Sequence, residues 1–439
     1  MSKRLLWRRS ATAVGTYGSV ALGVLATLAA ARQLGPRAFG LFTVVLVAAN
    51  FFQILLDLTV EEAMVKFGYR YKTAERWGRL HRLYGRGLAL KTLGGLLAAA
   101  VILILAPFAD SIFGSDNLLE PMLIASLLPI ALIPESLSGA VFVLAGRYDI
   151  RGGFLVVTQA FRLAGIGVGA HYGVTETIVG LVLGQATASL LVGAASLSFF
   201  RRFPHAPSEP LGEDRRGIIR FVVQSSIATG LVSLRGTIVP LLLGTKFVAS
   251  ETDAGYFRVA QAPQTGLAAL TSPVRLIMLT EQTRDWEAGS TDAVFASVRR
   301  FSLAALALMV VTVPPTFVFM PDLIRLVFGS DYAPATDAAR LMLLAGAIQL
   351  VLAWTKSLPV SIGRPGLRIL THGIETLVVI PLVIVLGRIW EATGAAAATL
   401  IATGVFAAVW LVALERIRRE HAPLPPEPPL LPEQEPVPL

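Results

Sequence analysis

Cysteine is absent from all 439 residues, which excludes disulfide frameworks, thiolate metal sites, iron–sulfur clusters and cysteine nucleophiles. Charge is also scarce: 15% of the residues are Asp, Glu, Lys or Arg, against about 25% in a soluble domain. The five histidines, His81, His171, His205, His372 and His421, are scattered along the chain, so a clustered zinc site is not expected. No Walker A loop, HExxH or GxSxG occurs. The sequence therefore points to no metal, no cofactor and no catalytic constellation, and the expectation is that this is not an enzyme.

Apolar length is what the chain has instead. Hydrophobic residues make up 54% of it and the mean hydropathy is +0.66. Several apolar runs exceed the roughly 18–20 residues that cross a bilayer as a helix. Their length, and the lack of ten-residue alternation, select helices over barrel strands. Twelve spans are expected, at 11–31, 38–65, 87–108, 118–146, 153–169, 177–199, 218–244, 254–280, 301–320, 339–354, 367–386 and 395–414. The charged opening looks like the front of a signal peptide, but the apolar stretch behind it is too long for one. It reads as a retained first span.

The net charge of +9 is distributed by side. With the N-terminus in the cytoplasm, most of the 38 basic residues fall in inner segments, including the run Lys66–Arg86 and the group Arg201, Arg202, Arg215, Arg216 and Arg220. Arg32, Arg37, Lys246, Arg258, Arg325 and Arg388 are assigned to the outer side. This asymmetry is the positive-inside rule. It predicts an even number of spans, both termini in the cytoplasm and no role for nucleic acid.

The polar segment HAPSEPLGED after the sixth span divides the chain. Residues 1–200 are expected to form an N-lobe of six spans, 201–216 a cytoplasmic linker and 217–420 a C-lobe of six more. The Pro-rich residues 421–439 read as a disordered cytoplasmic tail. Gly40 in FGLF and Gly255 in AGYF share an offset of 215 with Gly114 in IFGSD and Gly329 in VFGSD. Parallel repeats of this kind are a transporter architecture with a cavity between two bundles. The expected fold is thus all-α and polytopic, with two pseudo-symmetric lobes.

Ionisable groups in mid-span are costly in lipid and must face a cavity or a partner. Arg162 and Arg235 are candidates to meet an anionic substrate, with Gln159, Gln185, Gln261 and Gln264 as hydrogen-bonding groups for hydroxyl-rich ligands. Glu135 and Arg162 lie on consecutive spans and either neutralise one another or serve the cavity. His372 and Glu375 share a helix face, as a protonatable relay or as a structural hydrogen bond. Asp57, Glu61 and Glu62 cluster near the end of the second span. They pair with Lys66 and Arg70 or form a coupling site.

The run AARQLGPRAFGLFTVV, with DLTVEEAMVKF, VFGSDYAPATDAARLMLLAG and TGAAAATLIATGVFAAVWLV, resembles the Wzx-type polysaccharide flippases of the MOP exporter superfamily. The resemblance implies twelve spans in two lobes and alternating access. It also implies movement of a polyprenyl-pyrophosphate-linked oligosaccharide from the inner to the outer leaflet of the bacterial cytoplasmic membrane. Membrane lipids and a polysaccharide polymerase or glycosyltransferases would be its partners. Arginine suits a pyrophosphate through bidentate hydrogen bonds. Two other readings are weighed. An ion-coupled multidrug antiporter of the same superfamily is disfavoured because the first span lacks an acidic residue. A membrane enzyme of envelope glycan assembly is disfavoured by the short outer loops.

Overall fold

The computed structural model describes residues 3–420 except Asp57, Thr271 and Pro365. Side chains are described from Val14 onward apart from Ala228, Val232, Arg235, Leu270, residues 272–277, Thr280 and Glu287. Among the described residues every regular element is a helix.

Seven helical runs are long and apolar enough to cross a membrane. An eighth is the bent pair Asp214–Leu231 and Gly236–Leu243, whose axes differ by 49°. Two runs are longer than any single crossing. Lys3–Leu56 and Gly366–Glu420 contain 54 and 55 residues, roughly 80 Å of helix at 1.5 Å per residue, against a hydrocarbon core of about 30 Å. Each is interrupted by non-helical backbone, at Gly35 in the first and at Trp390 and Glu391 in the second. Other stretches expected as spans are fragmented. Residues 119–144 break into Leu119–Ala125, Leu127–Ala131, a 3-10 turn Ile133–Glu135 and Ser138–Leu144. The expected span at 254–280 is divided among Glu251–Ala260, Ala262–Leu270 and Ser272–Glu287. Thr336–Val351 gives way to short turns before Pro359. Prolines at 129, 134 and 359 lack the N–H that a helix interior requires.

The motif LGPRAFG owes its shape to three of its residues. Gly35 has φ 73° and ψ 172°, a left-handed geometry that glycine adopts without steric cost. Pro36 then restarts the helix where a missing N–H is harmless. Gly40 lets two backbones touch: a Cβ there would lie 1.9 Å from the Glu251 carbonyl oxygen. Gly255, its partner in the repeat, sits against Pro36 O and Gly40 Cα at 2.9 and 3.0 Å from its own ideal Cβ. Two repeats related by a two-fold axis bring a residue against its own counterpart only near that axis. The pseudo-symmetry axis therefore passes through the Gly40–Gly255 contact. The other matched pair agrees, since Gly114 and Gly329 both take positive φ, 71° and 109°.

At this end of the molecule the halves exchange reciprocal contacts. Arg32 donates to the carbonyls of Leu326 and Val327, the latter at 2.7 Å. The Tyr332 hydroxyl donates to Ala31 O at 2.8 Å. Lys246 N, from the second half, donates to Ile112 O at 3.2 Å, and Arg37, from the first, pairs with Glu251 at 3.2 Å. Phe39, Tyr256 and Phe328 pack around the Tyr332 ring with centroids 6.2 Å away.

The opposite end has its own bridges. Asp214 receives Arg70 at 3.0 Å, Arg79 at 3.3 Å and the Tyr71 hydroxyl at 3.1 Å. Glu209 N donates to Gly78 O at 3.2 Å, so the polar segment after residue 200 is packed against the Trp77–Leu105 helix. Outward-facing Val310, Val311, Leu190 and Leu377 are exposed apolar side chains, an extent of apolar surface that suits lipid rather than water.

Candidate functional site

Between the halves lies a cavity of about 350 Å³, within the range of small-molecule sites. Its walls come from both sides of the Gly35 break, from the Tyr148–Gly169 helix and from residues 258–265. The last of these walls is fixed by an N-cap. Ser250 Oγ accepts from Asp253 N at 3.2 Å and donates to the Asp253 carboxylate at 2.5 Å. This starts the helix at Glu251 and sets the register that carries Gly255, Arg258 and Gln261.

Among the described residues the cavity is lined by two cations and by no carboxylate. Arg162 projects from the Tyr148–Gly169 helix one turn after Thr158, and makes no hydrogen bond or ion pair among the described residues. Arg258 holds one contact, from Nη1 to Gln261 Oε1 at 3.2 Å. Gln159, Gln261 and Thr265 share the lining. Ser19 and Thr27 spend their hydroxyl protons on the carbonyls of Thr16 and Gly23, leaving their oxygens to accept from a ligand. Phe39, Phe42 and Phe328 close the Gly35 side.

Arg258 is the residue sequence reading missed, because a count of loop charges placed it outside the membrane. The usable signal was helical spacing: Ser250 with Asp253 marks a helix start, and Arg258 and Gln261 then fall three apart on one face. The Arg235 side chain lies outside the described residues, although its backbone belongs to the helix Asp214–Leu243.

Glu135 attracts Arg162 electrostatically but takes its hydrogen bonds from other groups. Its oxygens accept from Gln185 Nε2 at 2.8 Å and Thr158 Oγ1 at 3.3 Å, and no ion pair joins it to Arg162. Gln185 is 1% exposed and is committed to that carboxylate and to Ser189 at 3.3 Å, away from the cavity wall. Glu61 lies 3.6 Å from Arg151, while Glu62 accepts from Ser225. Arg70 is turned to Asp214, and Lys66 sits 4.3 Å above the Phe221 ring. Asp57 lies outside the described residues. Glu61 and Glu62 are thus directed to different helices.

A second polar site is buried in the C-terminal half. Glu375, 1% exposed, has Oε2 3.2 Å from His372 Nδ1. It faces a space of about 30 Å³ shared with Gln261, Gln264 and Thr399. Gln264 donates to Gln349 Oε1 at 3.1 Å, which in turn donates to Thr403 at 3.3 Å. No group of three or more His, Cys, Asp or Glu that would hold a metal occurs among the described residues.

Comparison with known proteins agrees with this architecture. The lipid II flippase MurJ in an inward closed conformation superposes with a TM-score of 0.69 at 14% identity, over 92% of this chain and 87% of that one. An inward-facing multidrug resistance MATE transporter of the MOP superfamily gives 0.61 at 12% identity, over 94% and 98%. A MOP superfamily transporter from Pyrococcus furiosus gives 0.61 at 13% identity, over 93% and 95%. These likenesses show the fold, an all-helical polytopic architecture shared with those proteins. No curated protein matches the chain in sequence. The family described as "Polysaccharide biosynthesis protein" matches residues 29–337, which is more than half of the chain, and the protein belongs to that family.

Proposed function

We propose that the protein is a flippase for polyprenyl-pyrophosphate-linked oligosaccharide, carrying it from the inner to the outer leaflet of the bacterial cytoplasmic membrane by alternating access. The observation that carries this reading is the pair Arg162 and Arg258, one from each half, in a cavity lined by no carboxylate among the described residues. Two guanidinium groups match the two phosphates of a pyrophosphate, each through charge-assisted and often bidentate hydrogen bonds. A cavity of about 350 Å³ accommodates that group and an adjoining sugar, while the polyprenyl chain stays in lipid. Gln159, Gln261, Ser19 and Thr27 then serve sugar hydroxyls. The same charge disfavours a cationic drug as cargo, since a like-charged wall repels it.

Residues 1–200 and 217–420 act as the two lobes, joined by the linker 201–216 and followed by the tail 421–439. Both termini lie in the cytoplasm, which puts the basic Arg70–Asp214 end inside and the Gly35 end outside. Substrate arrives from membrane-bound glycosyltransferases and leaves to a polymerase. The test is reconstitution of the purified protein with lipid-linked oligosaccharide, reading exposure of the sugar on the opposite leaflet with a lectin or a glycosidase. Transfer much faster than in protein-free vesicles is expected; an equal rate with a verified native substrate rejects the reading.

A further inference from the structure

The runs Lys3–Leu56 and Tyr148–Gly169 touch at Gly15 and part as they approach the central cavity. Gly15 lies directly against the backbone of Gly152, so no side chain fits there. Further along, a Cβ at Gly18 would meet a Val156 methyl at 3.2 Å, and a Cβ at Gly23 would meet nothing nearer than Gln159 Oε1 at 3.8 Å. Successive glycines thus mark a widening wedge. Val20, Gly23, Val24 and Thr27 recur at helical spacing on one face, and all four line the cavity. Gly23 leaves a notch in that row, with room for a methyl group between two valine side chains.

Gln159 stands across the notch. Its amide lines the cavity and makes no hydrogen bond among the described residues. The residue is half-buried, and both ends of the amide are free for a ligand. An amide left unpaired away from water costs free energy, which a ligand that pairs it offsets. Arg162 follows three residues later on the same face, and the Cβ atoms of such a pair lie about 5–6 Å apart. The order along this wall is therefore guanidinium, free amide, methyl-sized notch.

We infer that the sugar joined to the pyrophosphate carries an acetamido group on the carbon beside the anomeric one, and that Gln159 and Gly23 recognise it; this rests on the pyrophosphate reading above. With the phosphate held at Arg162, the substituent on that carbon falls about one helical turn away, level with Gln159. Gln159 Oε1 accepts the acetamido N–H. In a trans amide the N–H and the methyl lie on the same side, so the methyl enters the notch next to Oε1, between Val20 and Val24. Gln159 Nε2 is left to donate to the neighbouring ring hydroxyl. A hydroxyl in place of the acetamido group could still donate to Oε1. The notch would then stay empty, and its lining would lose the contacts that the methyl supplies. The site therefore selects between two sugars that differ only at this carbon.

The test is the affinity of the full-length protein in detergent for three ligands: farnesyl pyrophosphate, farnesyl-pyrophosphoryl N-acetylglucosamine and farnesyl-pyrophosphoryl glucose. The wild type should bind the acetamido compound about ten- to a hundredfold more tightly than the glucosyl one, the range for a small apolar group in a fitted pocket. Gly23→Ala should abolish that preference by weakening the acetamido compound alone. Its added methyl makes only ordinary contact, at 3.8 Å, and alanine suits a helix better than glycine, so the variant should fold. Gln159→Leu should weaken both sugar compounds toward the affinity of farnesyl pyrophosphate. Equal binding of the two sugar compounds by the wild type, or a preference for the glucosyl one, overturns the inference and leaves the pyrophosphate reading standing. A preference that survives Gly23→Ala overturns it too, as does unchanged binding of both sugar compounds in Gln159→Leu. Failure of all three ligands to bind defeats the pyrophosphate reading itself, and this inference with it.

Discussion

Vesicles containing the Arg162→Ala/Arg258→Ala double variant should translocate lipid-linked oligosaccharide no faster than protein-free vesicles. A hydrogen bond to a charged group contributes about 1.5–3 kcal/mol, and every 1.4 kcal/mol is tenfold in affinity. Each single alanine variant should therefore weaken binding about ten- to a hundredfold, with the double variant approaching the product. The fold should survive these changes. Arg162 holds no hydrogen bond or ion pair among the described residues, Glu135 is satisfied by Gln185 and Thr158, and Arg258 loses only Gln261. Lysine at either position keeps the charge and loses the planar fork, so Arg258→Lys should restore part of the activity and Arg258→Gln none. Wild-type transport by the double variant, at matched protein density, would remove the cationic cavity from the mechanism.

These residues also show what the sequence could and could not reveal. Arg162 was legible because it interrupts a long apolar run, and an isolated charge at that depth has to be accounted for. Arg258 was not, because it sits eight residues after Ser250, near enough to a polar loop to be counted with it. Only the turn of the helix from its cap returns the guanidinium to the interior. The repeat was legible from two short matches at one offset. That one of those matches marks the symmetry axis depends on a contact between residues 215 apart, which no local pattern contains. The buried carboxylates divide in the same way. The spacing of His372 and Glu375 places them on one face and the structure joins them at 3.2 Å. Glu61 and Glu62 are adjacent in sequence, yet they point to different helices, because neighbouring residues on a helix diverge by about 100°. The span count was less legible. Hydropathy sees composition, whereas breaks at Gly35, Pro134 and Glu391 are decided by backbone geometry.

The second large effect belongs to the axis itself. In Gly40→Ala the new methyl would stand 1.9 Å from Glu251 O and 2.5 Å from its carbon, and those atoms are backbone, so no side chain can swing aside. The helices bearing Gly40 and Gly255 must separate. Overpacking of this kind costs about 1–3 kcal/mol, and under the proposed alternating access the cost falls on the arrangement in which the halves touch at this point. The contacts that depend on the same approach, Arg32 to Leu326 and Val327, Tyr332 to Ala31 and Arg37 to Glu251, should weaken together. A cost of about 1–3 kcal/mol shifts the equilibrium away from that arrangement about five- to a hundredfold, and the proposed alternating access, which requires this end to seal, should slow with it. The absence of native cysteine makes the check direct. Cysteines introduced at Arg37 and Glu251, bridged by a short bis-methanethiosulfonate, should cross-link readily in the otherwise wild-type chain and several-fold less when Gly40→Ala is added. Gly255→Ala should act in the same sense but more mildly, since its nearest contacts are at 2.9 and 3.0 Å. Undiminished cross-linking and transport in Gly40→Ala would mean that the two halves do not close on this pair of glycines.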